Sequence, residues 1–228
     1  MNGGVAVLLI ENIKKSFGGT AVLSDLSLSV QSGQAVCIAG KNASGKTTLL
    51  KIIYGLLKAD SGSIKSCGRI SFVPQQPALM EELSVQDNLK LWYAAQNLSG
   101  PKWQPDSIET KLGLLPYKNK KAKTLSGGMQ KRLSIAAALV SVPDLLLLDE
   151  PFSALDAAAC HQLEELLINL KNSGTTVLFT SHEPEYIHRL ADSLYILNDG
   201  KLSFAANPKE LTREQLSKSI LDNLYQTI

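Results

Sequence analysis

At 228 residues the chain is long enough to bury a substantial core and slightly long for an ordinary domain, so one large domain with inserted subdomains fits better than two independent ones. Hydrophobic residues at 44% and charged residues at 19% place it among folded globular proteins and exclude the disordered and collagen-like classes. A formal net charge of +2 offers no polybasic surface for nucleic acid or anionic lipid, and three scattered cysteines, Cys37, Cys67 and Cys160, argue against a disulfide framework or a Cys-x-x-Cys zinc site and for a reducing compartment.

The opening MNGGVAVLLIENIKK lacks a basic region ahead of its short apolar run, so it does not read as a signal peptide. Between Val5 and Val30, the β-prone runs VAVLLIE and LSLSV, punctuated by Gly18-Gly19 and Ser24-Asp25, predict a small antiparallel sheet. Gln34 to Gly40 (QAVCIAG) predicts a buried strand ending in glycine. From Lys46 the run TTLLKIIYGLL is apolar all round, which predicts a helix buried in a core. Ile70 to Val73 is the next strand. From about Pro77 to Val142 the patterns SVQDNLKLWYAAQ, SIETKLGLL and SGGMQKRLSIAAALV are all helical and predict an inserted helical subdomain. The longest apolar stretch of the second half, Leu133 to Val142, is too short to cross a bilayer, so any membrane partner must be another chain. A strand Leu145 to Leu148 follows, then a helix with Leu163, Leu166, Leu167 and Leu170 on one face, then a strand Thr175 to Thr180. Asn198-Asp199-Gly200 predicts a hairpin turn, and a polar helix closes the pattern.

Gly40-Lys41-Asn42-Ala43-Ser44-Gly45-Lys46-Thr47 fits the phosphate-loop pattern and lies between a predicted strand and a predicted helix, the context that gives the motif its meaning. Backbone N–H groups there converge on phosphate oxygens at a helix N-terminus, so the run through Thr48 is the candidate ATP-binding segment. Lys46 reaches the β- and γ-phosphates and Thr47 ligates Mg²⁺. Asp149 and Glu150, delivered by the apolar strand before them, divide two roles: Asp149 on the metal and Glu150 as general base for the attacking water. His182, after another core strand, is placed where open α/β sheets hold ligands and is a candidate γ-phosphate contact. Ser126 is a good N-cap whose two following glycines, Gly127 and Gly128, leave N–H groups open to an anion.

With Leu125 to Met129 spelling LSGGM, the chain resembles the nucleotide-binding domain of ATP-binding cassette (ABC) proteins, whose signature is LSGGQ. The resemblance runs over nearly the whole chain, with the motifs in family order. It implies a P-loop NTPase of the α/β class with a RecA-like core, an antiparallel β subdomain (about 1–33 plus 62–72) and a helical subdomain (about 77–142). Phe17 in KSFGG matches the aromatic residue that stacks on adenine, where tyrosine is commoner. Gln75 in FVPQQ matches the glutamine that touches Mg²⁺ and serves catalysis, with Gln76 beside it as the alternative. Asp156 in SALD matches the loop at the dimer interface, and His182 the switch histidine. Two positions depart from the pattern. Ala43 stands where glycine is frequent, which costs roughly 1–2 kcal/mol if its φ is positive, and Met129 replaces the signature glutamine while Ser126, Gly127 and Gly128 are intact.

The resemblance further implies a head-to-tail dimer, homomeric or heteromeric, with each ATP held between one phosphate loop and the partner's Ser126-Gly127-Gly128. It also implies separate membrane permease subunits, a place on the cytoplasmic face of the membrane, and no nucleic-acid partner. The spelling LSGGMQKR, the LSVQDNL segment and a short C-terminus lean toward an ABC-2-type exporter. An importer subunit and a soluble, non-transport ATPase are the alternatives.

Overall fold

The structure, a computed structural model, describes residues 6–225, so residue Val5 of the expected first strand lies outside it. β1 (Ala6–Phe17) and β2 (Thr20–Gln31) form a hairpin whose two turn residues, Gly18 and Gly19, both take positive φ (55° and 83°), the backbone that matches strand twist in a two-residue turn. β3 (Ala35–Ala39) follows, then α1 (Lys46–Tyr54). α1 is one-sided where the sequence pattern predicts burial all round. Leu49, Leu50, Ile52 and Ile53 are buried, Tyr54 and Leu56 are exposed, and Gly55 at φ 88° ends the helix.

β4 (Ser61–Ser66) joins β1 in a three-stranded antiparallel sheet, but β5 (Ile70–Val73) pairs in parallel with β6 (Leu145–Leu148). The span 62–72 assigned to the β subdomain is therefore divided, its last residues belonging to the larger sheet. Alternation explains why: Val73 joins one apolar layer while Ile70 and Phe72 pack on the other, so β5 is sandwiched where β4 is mostly exposed. Between β5 and β6 lie α2 (Val85–Ala95), α3 (Ile108–Lys111) and α4 (Gly127–Leu139), with short 3₁₀ turns and no strand. α3 stops short of the predicted SIETKLGLL helix because Gly113 takes φ 69° and turns the chain.

After β6 come α5 (Ala157–Asn172), β7 (Thr176–Thr180), α6 (Pro184–Leu190), β8 (Ser193–Asn198), β9 (Lys201–Ala206) and α7 (Arg213–Tyr225). The large sheet has the order β5-β6-β7-β3-β8-β9, all parallel except the β8–β9 hairpin, where Asp199 and Gly200 again both take positive φ. Every residue of β3, β6 and β7 is buried, as a parallel sheet covered on both faces requires. Cys37, Leu146, Leu148, Val177 and Phe179 face a layer built with α4, α5, α6 and α7. Val36, Ile38, Leu145, Leu147 and Leu178 face α1 and the β1–β2 hairpin. Among the described residues no helix is long and apolar enough to cross a membrane.

Candidate functional site

Sheet order sets the site, because β3 and β7 are neighbours and β6 lies next to β7, so the loops after all three open at one edge. After β3 the chain bends through residues 40–45 into α1. Gly40 has no room for a side chain, since a Cβ there would lie 2.5 Å from the Leu197 carbonyl oxygen. Lys46 is buried, and its Nζ donates to the carbonyls of Gly40 (2.7 Å) and Lys41 (2.9 Å). Burial lowers the ammonium's pKa, opposed by the nearby carboxylates of Glu150 and Asp149. Ser44 Oγ is buried with no hydrogen-bond partner among the described residues, a polar atom the loop leaves for a ligand oxygen.

Ala43 does adopt the left-handed backbone, at φ 62°, so its methyl carries the steric cost that glycine would avoid. Ala43→Gly is expected to raise the melting temperature of the nucleotide-free protein by about 2–4 °C for about 1 kcal/mol of relieved strain. An unchanged or lower melting temperature in a calorimetric scan would show that the loop bears no such strain.

At the end of β6, Asp149 is held from two sides: Thr47 Oγ1 donates to its Oδ2 at 2.6 Å and Thr180 Oγ1 to its Oδ1 at 2.9 Å. Thr180 Oγ1 also accepts the Glu150 backbone N–H at 2.8 Å, which helps hold Glu150 in a left-handed conformation (φ 44°). Its carboxylate lies 3.4 Å from His182 Nδ1, with His182 largely exposed. Thr47, Asp149 and Gln75 line one cleft, a set of hard oxygen donors that fits Mg²⁺, which binds through few protein ligands plus phosphate and water. No group of three or more His, Cys, Asp or Glu side chains placed to hold a metal occurs among the described residues.

That cleft, of about 460 Å³, is lined by Phe17, the segment Asn42 to Thr48, Gln75, Asp149 and Glu150. Phe17, half exposed, sits at the end of β1, and Lys15 Nζ lies 5.3 Å from its ring centre. Asp60 tethers this strand end, accepting from Lys15 Nζ and from the Ser16 N–H, both at 2.7 Å. Gln76 lines the adjoining groove and not the cleft.

Ser126, Gly127, Gly128 and Asp156 do not line this cleft. Ser126 caps α4, accepting from the Met129 N–H, and Asp156 caps α5, accepting from the Ala159 N–H at 2.8 Å. The two caps are neighbours, because a Cβ on Gly128 would lie 3.1 Å from the Ala154 carbonyl oxygen. Two residues that support the site from behind escape the sequence reading. Thr180 joins Asp149 to Glu150 and is signalled only by a polar residue ending an apolar strand. Lys131 is 2% exposed in the middle of α4, and burial pushes its ammonium down to about 8 despite the opposing fields of Asp149 and Glu150.

Known proteins resemble this chain over most of its length. The family model described as ABC transporter matches residues 23–153. An aliphatic sulfonates import ATP-binding protein of Pseudomonas syringae pv. tomato is 38% identical over 203 residues, covering 88% of this chain and 83% of that protein. The Nod factor export ATP-binding protein I of Cupriavidus pinatubonensis is 34% identical over 236 residues, covering 95% and 71%. A solved dimeric structure of an ATP-binding cassette in a post-hydrolysis state, bound to ADP and Pi, superposes with a TM-score of 0.77 at 26% identity, covering 86% of this chain and 96% of that one.

Proposed function

Because the chain belongs to the ABC transporter family as an ATP-binding subunit, we propose that it hydrolyses ATP in a head-to-tail dimer whose closing and opening drive transport through separate membrane subunits. The observation that carries this reading is Gly127. It begins α4 with no positive φ, and a Cβ added there meets nothing within 4 Å, so nothing among the described residues requires a glycine. A bare N–H at an open helix N-terminus instead suits close approach by an anion from outside the chain, the γ-phosphate held by a second copy or a paralogous subunit.

In this reading the loop N–H groups and Lys46 hold the phosphates, and Phe17 supports the adenine. Thr47, Asp149 and Gln75 would hold Mg²⁺, which would supply positive charge against that of the phosphates. Glu150, kept in place by Thr180, accepts a proton on its carboxylate oxygen from the attacking water, and His182 lies beside it to contact the γ-phosphate. The membrane partner is assigned to the neighbouring groove, about 710 Å³, where Leu56, Trp92, Tyr54 and Phe72 offer an apolar seat suited to a short helix and Gln75 connects the groove to the cleft. The chain then works on the cytoplasmic face of the membrane.

Gly127→Asp tests the shared site. A first-turn aspartate suits the helix dipole and has room, so the monomer should fold and bind ATP within about twofold of wild type. The same charge would face the partner's γ-phosphate, so ATP-driven dimerisation should be lost and hydrolysis should fall by about 100-fold or more, what like-charge repulsion of a few kcal/mol produces. Normal turnover in the variant would end the two-chain reading. Direction is assigned as export on the LSGGMQKR and LSVQDNL segments, with import kept as the second reading because a named sulfonate importer aligns over most of the chain. Inverted membrane vesicles given Mg-ATP should therefore accumulate the substrate; emptying them would mean import.

A further inference from the structure

Lys131 lies one and a half turns into the helix that starts at Ser126, and it is one of the largest fully enclosed side chains of the molecule. Its Nζ donates to the main-chain oxygens of Pro74 (2.9 Å), Gln75 (3.1 Å) and Asp149 (3.1 Å). An ammonium has three donors and no acceptor, so its whole capacity is spent on backbone carbonyls. No ion pair to Lys131 occurs among the described residues. An enclosed charge without a contacting carboxylate is an expensive way to fill space, and an apolar side chain would fill a core position at less cost. The location accounts for the choice. The three carbonyls come from two segments, one carrying Gln75 and the other leading into Glu150, while Lys131 itself travels with the Ser126-Gly127-Gly128 helix.

We infer that Lys131 is a positioning residue for ATP hydrolysis, holding the Gln75 segment and the Asp149–Glu150 strand end in register with the helix that reaches the partner's nucleotide. It does not line the cleft, so it acts through the residues whose backbone it holds. This inference rests on the proposed function for its catalytic consequence, but the tie itself is measurable without turnover.

The test compares Lys131→Met, Lys131→Arg, Gln75→Ala and the double variant Lys131→Met/Gln75→Ala with wild type. Lys131→Met should lower kcat by about 10–100-fold, the scale of a misplacement near 1 Å. The Kd for ATP should stay within about twofold, since Lys46 and the loop N–H groups are untouched. Lys131→Arg, which keeps the charge and several donors, should recover part of kcat. The Met and Gln75→Ala losses should combine to less than their product, because part of the first is exerted through Gln75. Hydrogen–deuterium exchange should accelerate in residues 75–80 and not in the phosphate loop. Unchanged exchange there, ATP affinity falling in step with kcat, or losses that multiply in full would each overturn the inference. If Lys131→Met does not fold, Lys131→Gln, with two N–H donors, replaces it under the same criteria. Absence of turnover in the wild-type chain would count against the proposed function, and exchange would still decide the role of Lys131.

Discussion

Glu150→Gln is expected to lower ATP turnover by roughly 10²–10⁴-fold, the contribution of a general base, while leaving ATP binding in place. The substitution keeps the side chain's size. It removes only the carboxylate, whose oxygens face His182 at 3.4 Å. Glutamine pays no greater backbone cost than glutamate at φ 44°, and the Glu150 N–H bond to Thr180 Oγ1 is independent of the side chain. Loss of a negative charge beside the γ-phosphate also reduces repulsion in the ATP-bound state. With Mg-ATP the variant should therefore accumulate as a long-lived dimer, whereas Mg-ADP, lacking the group that meets Ser126-Gly127-Gly128 of the second chain, should leave it monomeric. Steady-state hydrolysis together with size-exclusion chromatography and light scattering reads both outcomes. Undiminished hydrolysis would remove Glu150 from the role of base.

Lys46→Ala should fail differently, losing binding as well as turnover. In the structure the ammonium is turned onto the Gly40 and Lys41 carbonyls, so it is preorganised within the loop and buried before any phosphate arrives. Removing it takes a charge-assisted donor from the phosphates and leaves those carbonyls facing added anionic charge. ATP affinity should fall by about 10–100-fold, as for one hydrogen bond to a charged group. Hydrolysis should fall by about 10²–10³-fold beyond that, the usual loss of a preorganised donor to developing charge. Titration calorimetry and saturating steady-state kinetics separate the two terms. Wild-type affinity in the variant would mean that the phosphates lie elsewhere.

The candidate site was legible wherever chemistry is written locally. A phosphate loop is eight consecutive residues, and its strand-to-helix context can be read from the apolar runs on either side. Asp149-Glu150 and His182 stand out in the sequence because each follows an apolar strand. The Asp199-Gly200 turn was found because two adjacent positive-φ residues need that chemistry. The loop pattern leaves the φ of Ala43 open, and the folded chain sets it in the left-handed region.

What pairs with what was not legible. Ile70 to Val73 is four residues long, with no signal that separates an antiparallel from a parallel neighbour, and its place beside β6 depends on a strand more than seventy residues away. The one-sidedness of α1 was hidden because Tyr54 and Leu56, apolar enough for a core, are left at the rim of the groove. Lys131 reads as an ordinary surface cation in the string QKRLS until α4 is docked and its Nζ falls among three carbonyls from distant segments. Local sequence by itself determined the turns, the caps and the phosphate loop, since those depend on the φ preferences and donors of neighbouring residues. Only the tertiary structure decided strand order, which face of each helix is enclosed, and the ties made by Thr180 and Lys131, because these depend on contacts between segments that meet only when the two sheets close over their cores.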